Sequence, residues 1–336
     1  MSLNAFVNRL HAWVRAEGGE VRQWTYPRLA TGRGGGGHVR ALYLAPAGPP
    51  KGLVVNVHAT GNDLYFPFVQ LFRFLLSRGY AVFSFDLDGH GVGSSHVLSR
   101  EHVDSMLPEA IAEARRCLPG ANVYLLGHSL GALLCLRYLA QASPPASPVV
   151  AAALLTTPVS GRIALRSPVG ELRAAVRSSF WRAAPSYGYW GLLPAIGRFK
   201  RGQYPMRFAA GEGGASVGAY VRFVDDLVAD SASLLLLGLR RRPCLLLYGG
   251  RDALTPPAQA GELSRQVGAE TRFRVIGRET HFTLALNKEL FAEVVEWFEG
   301  TYLARHIHGA SSLSSRAASL STSRLRIITR KNDYAD

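Results

Sequence analysis

Short apolar runs alternate with amphipathic helical patterns over most of this chain of 336 residues, from about residue 50 onward. That alternation is typical of a parallel β-sheet covered by helices. Two earlier stretches, 21–26 and 40–44, alternate polar and apolar residues and predict an antiparallel hairpin at the sheet edge. The pattern predicts an α/β fold with a mostly parallel eight-stranded sheet. The other predicted strands are 52–57, 81–85, 123–126, 150–156, 244–248 and 271–276, and the predicted helices are 66–78, 102–117, 130–141, 257–267 and 288–303.

The alternation stops between residues 158 and 243, an interval too long for a simple crossover and rich in Arg, Gly and aromatic residues. Ligands of parallel sheets bind at the C-terminal edge of the strands, where such an insertion would lie. We therefore predict a core at 1–157 and 244–304 and a cap at 158–243. Trp181, Tyr189 and Trp190 are its candidate substrate-binding residues. The Ser-rich and basic tail, 305–336, has no burial pattern and is predicted to be disordered.

The net charge of +14 lies mostly in the predicted cap and tail. No helix-turn-helix, zinc-finger or RNP pattern accompanies it, so no nucleic-acid partner is expected. A weak contact of cap and tail with an anionic membrane surface fits the distribution better. The N-terminus lacks a signal-peptide pattern, the apolar runs are too short to span a bilayer, and the three cysteines are widely spaced. These features predict a cytoplasmic protein without a metal site.

A reactive serine is indicated by the run Gly127-His128-Ser129-Leu130-Gly131, which has the form GxSxG. An apolar strand precedes this run and an apolar helix follows it, as a nucleophile elbow requires. The tight turn exposes the serine hydroxyl, and the two glycines leave room for the strand and the helix to approach each other. The pattern predicts Ser129 as a nucleophile.

An activated serine needs a histidine base and a carboxylate that orients the histidine. After a nucleophile elbow, the carboxylate comes first along the chain and the histidine second. Asp252 follows the strand at 244–248, and His281 follows the strand at 271–276. Either residue alone would also fit an ordinary surface loop. Their joint occurrence downstream of Ser129 favours a catalytic site made of Ser129, Asp252 and His281.

The tetrahedral oxyanion of acyl transfer needs backbone N–H donors from two loops. Leu130, directly after the nucleophile, is the first candidate. Thr60, in the loop that follows the strand at 52–57, is the second. His58 and His128 lie beside these positions and are expected to orient the loops.

Together these motifs resemble the α/β-hydrolase superfamily over about residues 50–300, nearest to its monoacylglycerol lipase, lysophospholipase and serine aminopeptidase-like branch. The run from Phe85 to Ser95 is similar to the DxxGHGxS loop of that branch. The resemblance implies a helical cap after the sixth strand and hydrolysis through an acyl-enzyme without metal or cofactor. Two departures stand out: Ala59 replaces a glycine of the family's HGxG loop, and one extra residue precedes Ser94.

The sequence therefore predicts a serine hydrolase that cleaves a small carboxylic ester with an apolar acyl or aryl group. Thioester cleavage, amide cleavage as in an aminopeptidase, and acyl transfer would use the same residues. A non-catalytic binding protein on the same fold is the alternative from another class. The sequence leaves the substrate and the oligomeric state open.

Overall fold

A computed structural model describes residues 3–28, 37–65, 67–91, 98–142, 147–159, 217–266 and 271–303. The chain divides into two compact units, Met1–Val295 and Glu296–Asp336. The candidate substrate-binding residues Trp181, Tyr189 and Trp190 lie outside the described residues, as do most of the predicted cap and the predicted tail.

The described strands form one eight-stranded sheet in the order β1-β2-β4-β3-β5-β6-β7-β8. β2 pairs antiparallel with β1 and β4, and the other pairings are parallel. The predicted mostly parallel sheet with an antiparallel hairpin at its edge is therefore confirmed. The strands are β1 (Glu20–Pro27), β2 (His38–Ala45), β3 (Gly52–Val57), β4 (Tyr80–Phe85), β5 (Val123–His128), β6 (Val149–Leu155), β7 (Cys244–Gly249) and β8 (Thr271–Ile276).

Each of the five helices predicted at 66–78, 102–117, 130–141, 257–267 and 288–303 is found, with bounds that differ by a few residues at most. A 3-10 turn at Leu284–Leu286 precedes the last described helix. None of the described helices is long and apolar enough to cross a bilayer. The helices are α1 (Leu3–Ala16), α2 (Val69–Ser77), α3 (Met106–Cys117), α4 (Leu130–Gln141), α5 (Val217–Arg241), α6 (Pro257–Arg265) and α7 (288–303).

The central strands β3 to β7 are buried along their whole length. Their apolar runs lack a period of two because a parallel strand in this setting is covered on both faces. β8, at the sheet edge, is largely exposed. Since β3, β5, β7 and β8 run parallel, their C-terminal ends meet at one edge. The loops after these four strands therefore lie together, and each carries a predicted site residue.

The end of the predicted cap interval folds as the long helix α5, which packs along α4. Gly238 of α5 lies so close to α4 that an added Cβ would be 2.5 Å from the carbonyl oxygen of Leu136. Arg137 of α4 donates from Nη1 to Ser231 Oγ of α5 over 2.8 Å. The described end of the interval is thus a helix packed on the core, and the bounds of the cap stay a prediction.

Candidate active site

Ser129 occupies the sharp turn between β5 and α4. Its backbone φ is +50° with ψ −114°, a conformation that residues with a side chain rarely adopt. Its N–H donates to the carbonyl oxygen of Leu155 over 2.8 Å, which ties the turn to the end of β6. The turn therefore holds the serine in a strained and fixed position, as a nucleophile elbow requires.

The glycines of the GxSxG run are required by close packing. A Cβ at Gly131 would lie 2.0 Å from the carbonyl oxygen of Val57, at the end of β3. A Cβ at Gly127 would lie 2.6 Å from the Cα of Ala132. Both approaches are too short for any side chain, so the first turn of α4 can pack onto the sheet only with glycine at these two positions.

Asp252 lies in the turn after β7 and is almost completely buried. Its Oδ1 accepts the backbone N–H groups of Leu254 and Thr255 at 3.0 and 2.7 Å, and its Oδ2 accepts the Thr255 hydroxyl at 2.6 Å. Burial opposes ionisation of this carboxyl, but the charge and hydrogen bonds of His281 and the bonds from Thr255 outweigh burial and lower its pKa. Asp252 is therefore an ionised and fixed acceptor near neutral pH.

His281 follows β8 and bridges the other two side chains. Its Nδ1 is 3.0 Å from Asp252 Oδ2, and its Nε2 is 3.0 Å from Ser129 Oγ. An ionised carboxylate only accepts hydrogen bonds, so the proton of the neutral ring lies on Nδ1. Nε2 then has a free lone pair that accepts the Ser129 hydroxyl. The structure thus brings the three predicted residues into one hydrogen-bonded chain.

A small cavity of about 50 Å³ opens at the Ser129 hydroxyl. Its lining includes Ala59, Thr60, Ser129, His281 and Phe282, so the loop after β3 faces the serine. Leu130 is the first residue of α4, and the first N–H groups of a helix have no intrahelical acceptor. Thr60 lines the cavity and Leu130 directly follows Ser129, so both backbone N–H groups remain candidates for the predicted oxyanion donors.

His58 fixes the loop after β3 to the loop after β4. Its Nε2 accepts the backbone N–H of Leu87 over 3.0 Å, so its proton lies on Nδ1, which donates to the carbonyl oxygen of Ala59 over 2.8 Å. Burial lowers the pKa of His58 to about 4. A neutral His58 therefore holds the backbone directly before Thr60.

Asp86 makes a second link between the same loops. Its Oδ1 accepts the backbone N–H of Leu64, and its Oδ2 accepts Nε–H of Arg40, both over 2.9 Å. Burial raises the pKa of Asp86 to about 6, although the Arg40 charge acts in the opposite direction. A Cβ at Gly91 would lie 2.0 Å from the carboxylate, which explains the glycine at that position of the GHG run.

Arg28 anchors the loop after β4 from the other side. It is 6% exposed and forms ion pairs with Asp88 and Glu109. It also donates to the carbonyl oxygen of His102 and, over 2.7 Å, to Ser105 Oγ. Sequence reasoning missed Arg28 and Arg40. Their partners are 60 and 46 positions away, respectively, and no local pattern signals such pairs.

His128 lies behind the catalytic histidine candidate. Its Nε2 is 3.4 Å from the backbone oxygen of His281, and its ring packs edge-on against Phe68 with centroids 5.7 Å apart. Burial, with His281 nearby, lowers the pKa of His128 to about 3, so the ring is neutral. The expected role of His128 in orienting a loop fits these contacts. Among the described residues, no group of three or more His, Cys, Asp or Glu could hold a metal ion.

The sheet order and the serine turn after β5 define an α/β-hydrolase fold, the class that the sequence resembles. A family model described as "Alpha/beta hydrolase family" matches residues 53–294. The chain therefore belongs to the alpha/beta hydrolase family.

Similar proteins include lipases. Over 117 residues the chain is 32% identical to human monoglyceride lipase, an alignment that covers 32% of this chain and 36% of that protein. A lipase in its open form has 14% identity and a TM-score of 0.58, with 84% of this chain and 99% of that chain covered. The monoacylglycerol lipase of Paleococcus ferrophilus has 20% identity and a TM-score of 0.51, with the same shares covered. The solved structures share the fold with this chain.

Proposed function

We propose that this chain is a serine hydrolase that cleaves carboxylic esters, with Ser129 as nucleophile, His281 as general base and acid, and Asp252 as the group that orients His281. The observation that carries the proposal is the hydrogen-bonded chain from Ser129 Oγ through His281 to Asp252, with 3.0 Å at each step. Nucleophilic catalysis requires this order of groups.

In the proposed reaction, Ser129 Oγ attacks the ester carbonyl carbon while His281 Nε2 takes the hydroxyl proton. The tetrahedral intermediate then expels the alcohol, which receives that proton from His281, and the acyl group remains on Ser129. Water repeats the sequence: His281 takes a proton from water, and the carboxylic acid leaves as Oγ regains its proton. Asp252 stays ionised and stabilises the imidazolium. This chemistry uses no metal or cofactor.

The backbone N–H groups of Thr60 and Leu130 are the proposed oxyanion donors. Removal of one such donor typically costs about 3 kcal/mol of transition-state stabilisation. His58 and Asp86 hold the loop that contains Thr60 at Ala59, before Thr60, and at Leu64, after it. This supports the assignment, because an oxyanion hole works through donors that are fixed before the reaction. Ala59 in place of the family's glycine alters only a position beside the donor.

The proposed substrate is a small ester with an apolar acyl group. Apolar side chains of Ala59, Pro67 and Phe282 line the cavity at Ser129, and Phe282 is 44% exposed. The partial match to human monoglyceride lipase makes a fatty acyl glycerol ester the first substrate to test. The predicted cap residues Trp181, Tyr189 and Trp190 stay candidates for the acyl contact, and a cytoplasmic location stays a prediction.

The test is covalent labelling with a fluorophosphonate probe, followed by hydrolysis of p-nitrophenyl esters of increasing acyl length. We expect the unmodified protein to label, Ser129→Ala to be silent, and Ser264→Ala, a matched serine on α6, to label normally. No labelling of the unmodified protein would reject the proposal in favour of a binding protein, and equal labelling of the Ser129→Ala variant would reject Ser129 as the nucleophile. Equal rates from acetyl to long acyl groups would reject the apolar acyl site.

A second assay separates ester hydrolysis from the related reactions. Matched ester, thioester and amide substrates with one acyl group give the preferred bond. Addition of an alcohol or amine acceptor shows whether the acyl group goes to water. Faster cleavage of the thioester or amide, or a dominant acyl-transfer product, would replace ester hydrolysis as the proposed activity.

A further inference from the structure

A second cavity lies in the first compact unit, between α1, α2 and the start of α7. Its volume is about 420 Å³, within the roughly 300–1,000 Å³ typical of small-molecule sites. We call it the α1–α2 groove. Among the residues that line it are Trp13, Arg73, Phe74, Leu286, Lys288 and Phe291.

The walls of the α1–α2 groove are largely aromatic. The rings of Phe74 and Phe291 lie 6.3 Å apart, and Trp13 and Leu286 add apolar surface. α2 buries a different face, made of Leu71, Phe72, Leu75 and Leu76, so Phe74 is available to the groove and half-buried. An apolar body of a ligand would therefore find contacts on several sides.

Two cations lie at the α1–α2 groove. The guanidinium carbon of Arg73 lies 4.7 Å from the centre of the Trp13 ring, a stacking that leaves the N–H edges of the guanidinium for an anion. Lys288 is exposed. Among the described residues, no carboxylate lines the groove and none forms an ion pair with either cation.

Another cavity, of about 710 Å³, offers a contrast. Its lining also contains arginines, but Arg22 pairs with Glu20 and Arg116 pairs with Glu113. These two arginines already have anionic partners and the Glu113 carboxylate itself lines the cavity, so only Arg15 of its three lining arginines has no ion pair with a described residue. At the α1–α2 groove the positive charge is still available beside an apolar wall.

We propose that the α1–α2 groove binds a single anionic amphiphile, a carboxylate with an alkyl chain. The chain would lie against Trp13, Phe74 and Phe291, and the carboxylate would bind Arg73 and Lys288 by charge-assisted hydrogen bonds. Pro67 lines both this groove and the cavity at Ser129, so the bound molecule would lie beside the candidate active site. The proposal does not depend on the proposed hydrolysis.

The binding test uses the full-length chain with Ser129→Ala and the same chain without it. Decanoate is titrated by isothermal titration calorimetry, with decanol as the neutral chain and butyrate as the carboxylate without a long chain. We expect decanoate to bind at least about tenfold more tightly than either analogue, since each charge-assisted bond contributes about 1.5–3 kcal/mol. An equal dissociation constant with and without Ser129→Ala would place the bound decanoate away from the Ser129 hydroxyl.

Variants of the cations test the location. The double variant Arg73→Gln, Lys288→Gln is expected to lose about tenfold or more of the decanoate affinity and to leave decanol binding unchanged. Arg265→Gln, an exposed arginine at the end of α6, is the matched control and should bind decanoate normally. Unchanged decanoate affinity in the double variant would overturn the proposal.

Charge reversal gives a result that loss of folding cannot imitate. Arg73→Glu with Lys288→Glu is expected to bind decyltrimethylammonium in preference to decanoate. If neither amphiphile binds to any form of the protein, the proposal is wrong. If the protein binds phosphatidylglycerol vesicles but no single amphiphile, and the double glutamine variant no longer binds the vesicles, the groove is a membrane contact. That result would overturn the single-molecule proposal. Ester hydrolysis by Ser129→Ala would contradict the proposed function and leave this proposal intact.

Discussion

Asp252 shows how one charged side chain can be buried and remain ionised. Two backbone N–H groups, one hydroxyl and the ring of His281 all donate to its two oxygens. The charge of His281 and these bonds all favour the charged form, and together they outweigh burial and lower the pKa of Asp252. The same bonds fix the direction of the carboxylate, which in turn determines the nitrogen of His281 that carries the proton.

Asp252→Asn is expected to lower kcat for p-nitrophenyl esters by about 10⁴-fold, the loss found when a triad aspartate is replaced in this way. The amide is similar in size but no longer carries the charge that selects the Nδ1–H tautomer of His281. Steady-state kinetics of the purified variant measures the loss. Asp226→Asn, an exposed carboxylate on α5, is the control and should keep full activity. A loss below about tenfold would argue against the role of Asp252.

Asp86 lies in a less favourable position, because burial raises its pKa to about 6. A raised folded-state pKa gives stability that is present below the unfolded value of 3.8 and is lost as pH rises through about 6. Asp86→Asn removes this titration. The stability of the variant relative to that of the unmodified protein should therefore be lower at pH 4 than at pH 7.

Thermal unfolding of both proteins from pH 4 to pH 7 measures that difference. The Tm of Asp86→Asn minus the Tm of the unmodified protein should rise across this range. A constant or falling difference would contradict the raised pKa. Asp226→Asn again serves as the control, because this carboxylate is exposed and lies on α5, away from Asp86.

At the scale of elements, most strands and helices could be predicted from the sequence because the sheet is parallel and buried. A strand such as β3 has to be apolar on both faces, and this leaves a continuous run that is easy to recognise. The triad candidates could be predicted because the fold requires each of them directly after a strand. The Arg40–Asp86 and Arg28–Asp88 pairs could not, because they join distant segments.

Helix α5 is the element that the sequence pattern did not separate from its surroundings. Its apolar residues face α4, but they follow an interval without strand-helix alternation, so the sequence pattern places them in the predicted cap. The helix at the end of this insertion becomes evident only from the element on which it packs. The partner here is the backbone of α4 at Leu136, next to Gly238.

Leu239→Ala on α5 is expected to lower the free energy of unfolding by about 2–5 kcal/mol, because Leu239 is completely buried. Leu237→Ala, the same substitution two residues earlier where the side chain is 39% exposed, should stay within about 1 kcal/mol. Urea unfolding followed by circular dichroism measures both. Equal effects of the two substitutions would mean that α5 does not pack as described.

At the scale of the whole molecule, the charge of +14 favours contact with anionic surfaces. The chain is expected to sediment with phosphatidylglycerol vesicles at low salt and not with phosphatidylcholine vesicles. Binding should disappear towards 1 M salt, where the screening length falls to about 3 Å. Removal of residues 305–336 should weaken it, as the tail is basic. Binding that is insensitive to salt would argue against an electrostatic contact.

The distance along the chain between Ser129 and His281 has a consequence for refolding. The two residues are 152 positions apart and meet only because β5, β6, β7 and β8 stand side by side. Contacts between such distant positions form late, because closing long loops is entropically slow. A refolding chain can complete the turn at Ser129 while it still lacks His281, the proposed base. Recovery of esterase activity should therefore lag behind recovery of the circular dichroism signal, and the lag reports the docking of the last two strands.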